Sequence, residues 1–201
     1  MHSSEKTART EICDQALRLF AARGADNVSL RQVAAAAEVS PSLVVHHFGG
    51  KAGLREAVNE RSLAVFRRFA EYVAEAGPDG GPGPGDDFLP RRLVAFLDGD
   101  SPVLAHLCRL LLSDEPAGRQ IFRRWHALKL AWLDSLPGAV RAGEDRSLCA
   151  AWLTANELGV LLQRHQLRGL LGRDPLAAGE AARWAEAGAG VYRAGAGPGP
   201  C

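Results

Sequence analysis

The residues whose types and spacing best suit chemistry lie between Val39 and Arg55. The stretch reads VSPSLVVHHFGGKAGLR and holds no Asp or Glu. A surface that approaches phosphates must avoid carboxylates, because phosphate contact dominates nucleic-acid affinity. Lys51 stands at the expected start of a long helix, where the macrodipole disfavours a cation by about 0.3–1 kcal/mol. The same helix end offers free N–H groups, and Gly49 and Gly50 let backbone approach closely, so the combination fits a bound phosphate. Pro41, Ser42, Leu43 and His46 face outward if Val44 and Phe48 face the core. The early turns of such a helix reach base edges. Leu43 could meet a thymine methyl, and His46 a base edge or phosphate. His47 has two open readings, core packing and phosphate contact. Ser29 and Arg31, at the start of the preceding helix, are placed for backbone phosphate, although capping alone accounts for Ser29.

Other chemistries find little support. His106, His126 and His165 fall on separate expected helices, and no H-x-x-x-H pair occurs. Cys13, Cys108, Cys149 and Cys201 are far apart with no C-x-x-C spacing, which reads as buried thiols. Asp86-Asp87 is followed by Phe-Leu-Pro-Arg-Arg, without a further carboxylate for magnesium, and reads as a helix cap. Nucleophile-elbow, P-loop and dinucleotide fingerprints are missing. The expectation is a protein that is not an enzyme, with no metal and no cofactor.

The elements that would position these residues are all helical. Ile12, Ala16, Leu19 and Phe20 make one apolar face of a first helix ending at Gly24. In residues 28–33, VSLRQV, Ser29 and Gln32 form a capping box, with Val28 and Val33 as a staple. In residues 39–44, VSPSLV, Ser40 caps, Pro41 takes the first helical position, and Val39 with Val44 repeat the staple. Two capped starts eleven residues apart leave room for a two-turn helix, a tight turn and another short helix, which is helix-turn-helix. A long helix then runs to Gly77-Pro78, and residues 77–87 form a Gly/Pro loop. Five more helices are expected: Pro90–Asp98, Pro102–Ser113, Pro116–Leu136, Asp145–Leu171 and Asp174–Arg193. Residues 195–201 form a flexible tail.

Composition agrees with a folded chain. The 201 residues are 47% hydrophobic and 23% charged, which excludes overall disorder. Twenty-four Lys and Arg against 23 Asp and Glu exclude a polybasic coat protein yet leave room for a local basic face. No apolar run reaches about 18 residues, and the opening Met-His-Ser-Ser-Glu-Lys has no apolar signal core. The expectation is a cytoplasmic protein without a membrane span.

The segments EICDQALRLFAARG, VSLRQVAAAAEVS and HHFGGKAGL, within residues 8–58, resemble the DNA-binding domain of the TetR/AcrR family of transcriptional regulators. Two positions depart from the family pattern. Its turn glycine is Glu38, which in a left-handed conformation costs about 1 kcal/mol; its recognition-helix aromatic, which helps hold phosphate, is Val45. The resemblance implies an all-α chain. Residues 5–65 would be the helix-turn-helix DNA-binding domain, joined by a long helix to an effector-binding and dimerisation domain over 66–194. It implies a homodimeric regulator, expected to be a repressor released from a palindromic operator in double-stranded DNA by a small-molecule effector. DNA contacts would fall on Ser29, Arg31, Pro41, Ser42, Leu43, His46, His47 and Lys51. His106, Arg109, Trp132 and Asn156 are the candidate effector contacts. Trp152, Ala155, Gly159, Ala181 and Ala185 lie on small-residue stripes suited to close helix packing across a twofold axis. The alternative, motivated by Glu38 and Val45, is a helical ligand- or protein-binding module with degenerate DNA binding.

Overall fold

A computed structural model describes residues 2–76, 88–97, 99, 101–136, 140, 143–177, 179, 180, 182–184, 186 and 187. Among them the regular structure is entirely helical, as the sequence requires. The order is α1 (His2–Arg23), a 3-10 turn (Ala25–Asn27), α2 (Leu30–Ala36), α3 (Pro41–Phe48), α4 (Lys51–Ala76), α5 (Leu89–Phe96), α6 (Pro102–Leu111), α7 (Pro116–Ser135), α8 (Arg146–Leu162) and α9 (Arg164–Leu171). No helix among the described residues is long and apolar enough to cross a membrane.

The chain forms two compact units. The first comprises residues 1–69 and 100–123, so it holds α1 to α3, most of α4, α6 and the first turns of α7. Its core gathers Ile12, Ala16, Phe20, Val28, Val33, Val44, Phe48, Leu54 and Val58, with Val103 of α6 packed against it. These are the apolar positions of four short periodic segments; burying a side chain of this size contributes about 1.5–3 kcal/mol. The expected boundary at residues 65/66 therefore differs from the compact unit, which also takes in α6. That helix packs along α1, an association between segments some 80 residues apart that no local pattern displays.

The second unit comprises residues 70–99 and 124–201. In it α5 packs on α8 and α8 on α9. Leu93, Trp125, Leu133, Ala150, Leu158 and Leu161 are buried. The single helix expected over 145–171 is interrupted: Gln163, at φ −102° and ψ 13°, separates α8 from α9. Nothing in the local sequence breaks a helix there. Arg164, the first residue of α9, instead donates a forked pair of hydrogen bonds to Asp174 beyond the helix, from Nε at 3.0 and 3.1 Å and from Nη2 at 2.6 Å. Asp145 caps α8 by accepting the N–H groups of Ser147 and Leu148. Asp86 and Asp87, expected to cap α5, lie outside the described residues, and the N-cap position is Phe88, without a side-chain cap. The 77–87 loop, the 195–201 tail and much of the last expected helix also lie outside them.

Candidate DNA-binding surface

The helix pair forms as its caps dictate. Gln32 N–H donates to Ser29 Oγ at 3.3 Å while Ser29 N–H donates to Gln32 Oε1 at 2.8 Å, a complete capping box. Leu43 N–H donates to Ser40 Oγ at 3.2 Å, with Pro41 in the first turn. Between the two helices Glu38 adopts φ 55°, the one non-glycine residue with positive φ among those described. The left-handed geometry expected at this turn is present, and a glutamate bears its cost. Gly49, also left-handed, ends α3 by donating its N–H to the Val45 carbonyl at 2.7 Å.

Packing then fixes which side of α3 is presented. Val44 is fully buried and Phe48 nearly so; Pro41, Ser42, Val45 and His46 are exposed, and Leu43 and His47 are half-buried. The exposed residues share a face with no acidic side chain of α3. His46 and His47 rings meet edge-on at 5.4 Å. His47 Nε2 is shut off from solvent without a hydrogen-bond partner. Arg31 and Ser29 are both exposed at the start of α2. From α1, the Arg9 guanidinium lies 5.0 Å over the Phe48 ring, which adds a cation beside the end of α3.

Lys51 is half-buried, and its Nζ donates to the Asp26 carbonyl at 3.0 Å. An ammonium carries three donors, so this bond fixes the side chain without exhausting it. The neighbouring Arg55 of α4 reaches Asp26 Oδ1 at 3.0 Å and also pairs with Glu115. Neither Asp26 nor Glu115 was a candidate from the sequence. Arg55 lies 29 residues from Asp26 and 60 from Glu115 in the chain.

The candidate effector residues fall two and two in the units. In the first, His106 is buried with Nε2 3.0 Å from Asn59 Oδ1, and Arg109 donates to the Ala21 and Ala22 carbonyls at 2.6 and 2.8 Å. Burial, reinforced by the nearby Arg109 and Arg55 charges against the opposing pull of Glu115, lowers the His106 pKa to about 4. In the second, Trp132 is half-buried with the Lys129 ammonium 5.1 Å over its ring, and Asn156 is exposed, donating to the Trp152 carbonyl at 3.1 Å. A buried pair that the sequence did not reveal joins α7 to α8. Lys129 and Glu157, both more than nine-tenths buried, are ion-paired, and Trp125 Nε1 donates to Glu157 Oε2 at 2.9 Å.

Of the candidate dimer residues, Trp152 is 44% exposed, Ala155 is exposed and Gly159 half-buried, and Leu148 extends the same stripe at 67% exposure. Ala181 and Ala185 lie outside the described residues. Among the described residues no group of three or more His, Cys, Asp or Glu side chains is gathered for a metal ion.

Comparison with known proteins agrees with this geometry. Residues 12–58 match the family described as bacterial regulatory proteins, tetR family. The transcriptional regulatory protein RaaS of Mycobacterium tuberculosis is 29% identical over 171 residues, 83% of this chain and 76% of that one. A gamma-butyrolactone receptor described as ArpA-like superposes with a TM-score of 0.60 at 22% identity, over 95% of this chain and 98% of the other. CprB from Streptomyces coelicolor, solved in complex with its operator sequence, superposes with a TM-score of 0.58 at 22% identity, over 94% and 98%. At that identity the two structures establish the shared fold. With the capped helix pair, the acid-free exposed face of α3 and the sequence match over its core, residues 12–58 form a tetR-family helix-turn-helix domain, and the chain is similar to DNA-binding transcriptional regulators.

Proposed function

We propose that the protein is a cytoplasmic, homodimeric repressor that leaves a palindromic operator when a small-molecule effector binds. The observation that carries this reading is the pairing of two exposed surfaces. One is the outward face of α3, with Ser42, His46 and the nearby Lys51 and Arg31, which suits phosphate and base edges. The other is the Leu148, Trp152, Ala155, Gly159 stripe of α8, which suits a second copy of the same stripe. Residues 5–65 read DNA, and residues 66–194 carry the effector and dimer contacts. Trp132 and Asn156, with the buried Lys129–Glu157 pair beside them in the chain's second unit, offer an aromatic and polar setting for an effector that is largely apolar with one polar or anionic group. His106 and Arg109 are committed to internal bonds and serve position instead.

Gel shifts with duplexes tiled across the DNA flanking its own gene, combined with sedimentation, test the reading. The expected result is a dimer that retards one fragment containing an inverted repeat. A second reading, loss of specific DNA binding, is favoured by Val45, an aliphatic side chain exposed on α3, and by Glu38 in the turn. Equal retardation of all fragments, removed by salt, would favour it.

A further inference from the structure

A run of hydrogen bonds in the first unit connects the α6–α7 corner to the segment that leads into the helix-turn-helix. Glu115 stands in that corner. Its Oε1 accepts from Arg55 of α4, and its Oε2 accepts from Asn59 Nδ2 at 3.1 Å. A carboxylate only accepts, so the Asn59 amide nitrogen must face it and Asn59 Oδ1 must face His106. His106 Nε2 therefore donates to Asn59 Oδ1 at 3.0 Å, which fixes the tautomer and ties α6 into the same network. The other arm of Arg55 donates to Asp26 Oδ1 at 3.0 Å, and Lys51 holds the Asp26 carbonyl. From α6, Arg109 grips the Ala21 and Ala22 carbonyls at the end of α1. Residues 21–27, the end of α1 and the turn that follows it, are thus held by three cations from α4 and α6.

The corner itself is stiff. A Cβ at Gly118, in the first turn of α7, would lie 2.0 Å from the Leu110 carbonyl oxygen, so α6 and α7 meet backbone to backbone. Ser113 Oγ donates to the same carbonyl at 2.8 Å. The network, by contrast, has room to shift. A cavity of about 140 Å³ adjoins Arg55, His106, Arg109 and Glu115. An open groove of about 650 Å³ also adjoins Arg55, Asn59 and Glu115. The close-packed corner passes strain on to the groups bonded to it, and the space beside the polar link leaves that link free to move with the corner.

We propose that Glu115 is a positioning residue that couples the α6–α7 corner to the α1–α2 connection, so that displacement of α7 reaches the helix pair that reads DNA. This rests on the regulator reading above. By linkage the coupling is reciprocal: DNA that fixes the helix pair must also fix the corner. That permits a test with DNA alone as the probe, and a coupling has to be measured before a pathway is credited.

The experiment is hydrogen exchange of the full chain, free and saturated with the duplex selected from DNA flanking its gene. Wild type is compared with Glu115→Gln, and with Asp114→Asn as control. Asp114 bonds Arg119 at 2.6 Å within the same corner and does not touch α4. DNA is expected to slow exchange at residues 112–119 in wild type and Asp114→Asn. In Glu115→Gln that slowing should fall by roughly threefold or more, with thermal midpoint and DNA affinity little changed. Arg55→Lys, which keeps the charge but not the two-armed bridge, should reproduce the loss and serves if Glu115→Gln folds poorly. Slowing as in wild type in both variants, or wild type that binds DNA without slowing at 112–119, overturns the proposal and leaves the regulator reading intact. Wild type that retards no duplex overturns the regulator reading and the proposal with it.

Discussion

At the scale of single residues, His106 and Lys51 both turn out to be structural anchors as well as candidate contacts. The His106 pKa of about 4 lies below the ordinary value of 6.5 chiefly because the ring is buried. The unfolded chain therefore takes up a proton near pH 6.5 that the folded chain refuses until about pH 4. Acid favours the unfolded state across that window, and above it the contribution is flat. Unfolding free energy measured with denaturant should fall by about 2–3 kcal/mol between pH 7 and pH 4.5 through this group, and His106→Gln should lack that share of the slope. Equal slopes in both proteins would remove His106 from the explanation. Lys51 carries a double load, because its ammonium already supports the Asp26 carbonyl. Lys51→Ala should weaken binding to every DNA sequence alike and make the salt slope shallower by about one unit per subunit, with a small loss of stability besides. His46 is exposed on α3 and has no such internal tie, so His46→Ala should change base preference at one position of each half-site, by ~1–3 kcal/mol. Titrations over a salt series with single-base operator variants separate these effects, and a position-specific loss from Lys51→Ala would reverse the assignment.

At the scale of elements, the turn between α2 and α3 gives the clearest test. Glu38 holds φ 55°, a conformation that glycine adopts without penalty. Glu38→Gly should raise stability by about 1 kcal/mol, read as a higher denaturant midpoint at unchanged slope, and it also removes a carboxylate from the DNA-facing half of the unit. A lower midpoint would mean that the glutamate side chain stabilises the turn by more than the backbone strain costs. This residue shows why so much of the helix pair was legible. Its caps, its staple valines and its left-handed turn are interactions within a few residues, so their signals are contiguous in sequence. Other features use long-range partners. Arg109 meets Ala21 across 88 residues, and Arg55 meets Glu115 across 60. Lys129 and Glu157 are residue types that normally mark a surface, yet here they neutralise one another inside the second unit. The break at Gln163 likewise has no local breaker in the sequence and stands beside the tie between Arg164 and Asp174. The sequence therefore displayed the helix pair well, while the groups that hold it in place appeared only with the tertiary structure.

At the scale of the whole molecule, the proposed function depends on two copies acting together. Leu148, Trp152, Ala155 and Gly159 recur every three or four residues along α8, and this spacing places them on one side of the helix. Among the described residues Leu148, Trp152 and Ala155 on that side are exposed and Gly159 is half-buried. A Cβ at Gly159 would meet nothing nearer than Gln163 Nε2 at 4.0 Å. Within one chain, Gly159→Ala should therefore be harmless, and it should favour the helix by up to about 1 kcal/mol. If a second α8 packs against the stripe, the added methyl intrudes on that contact and dimer affinity falls. Gly159→Arg and Trp152→Glu should go further and give monomers. A monomer holds only one half-site, and losing the tethered second binding event should lower operator affinity by about 10²–10⁴-fold while leaving far-UV helicity unchanged. Sedimentation velocity and operator retardation on the same samples decide the matter. Dimers that persist in Gly159→Arg and Trp152→Glu would move the interface away from this face of α8. Monomers that bind the full operator as tightly as wild type would show that each copy reads its half-site alone.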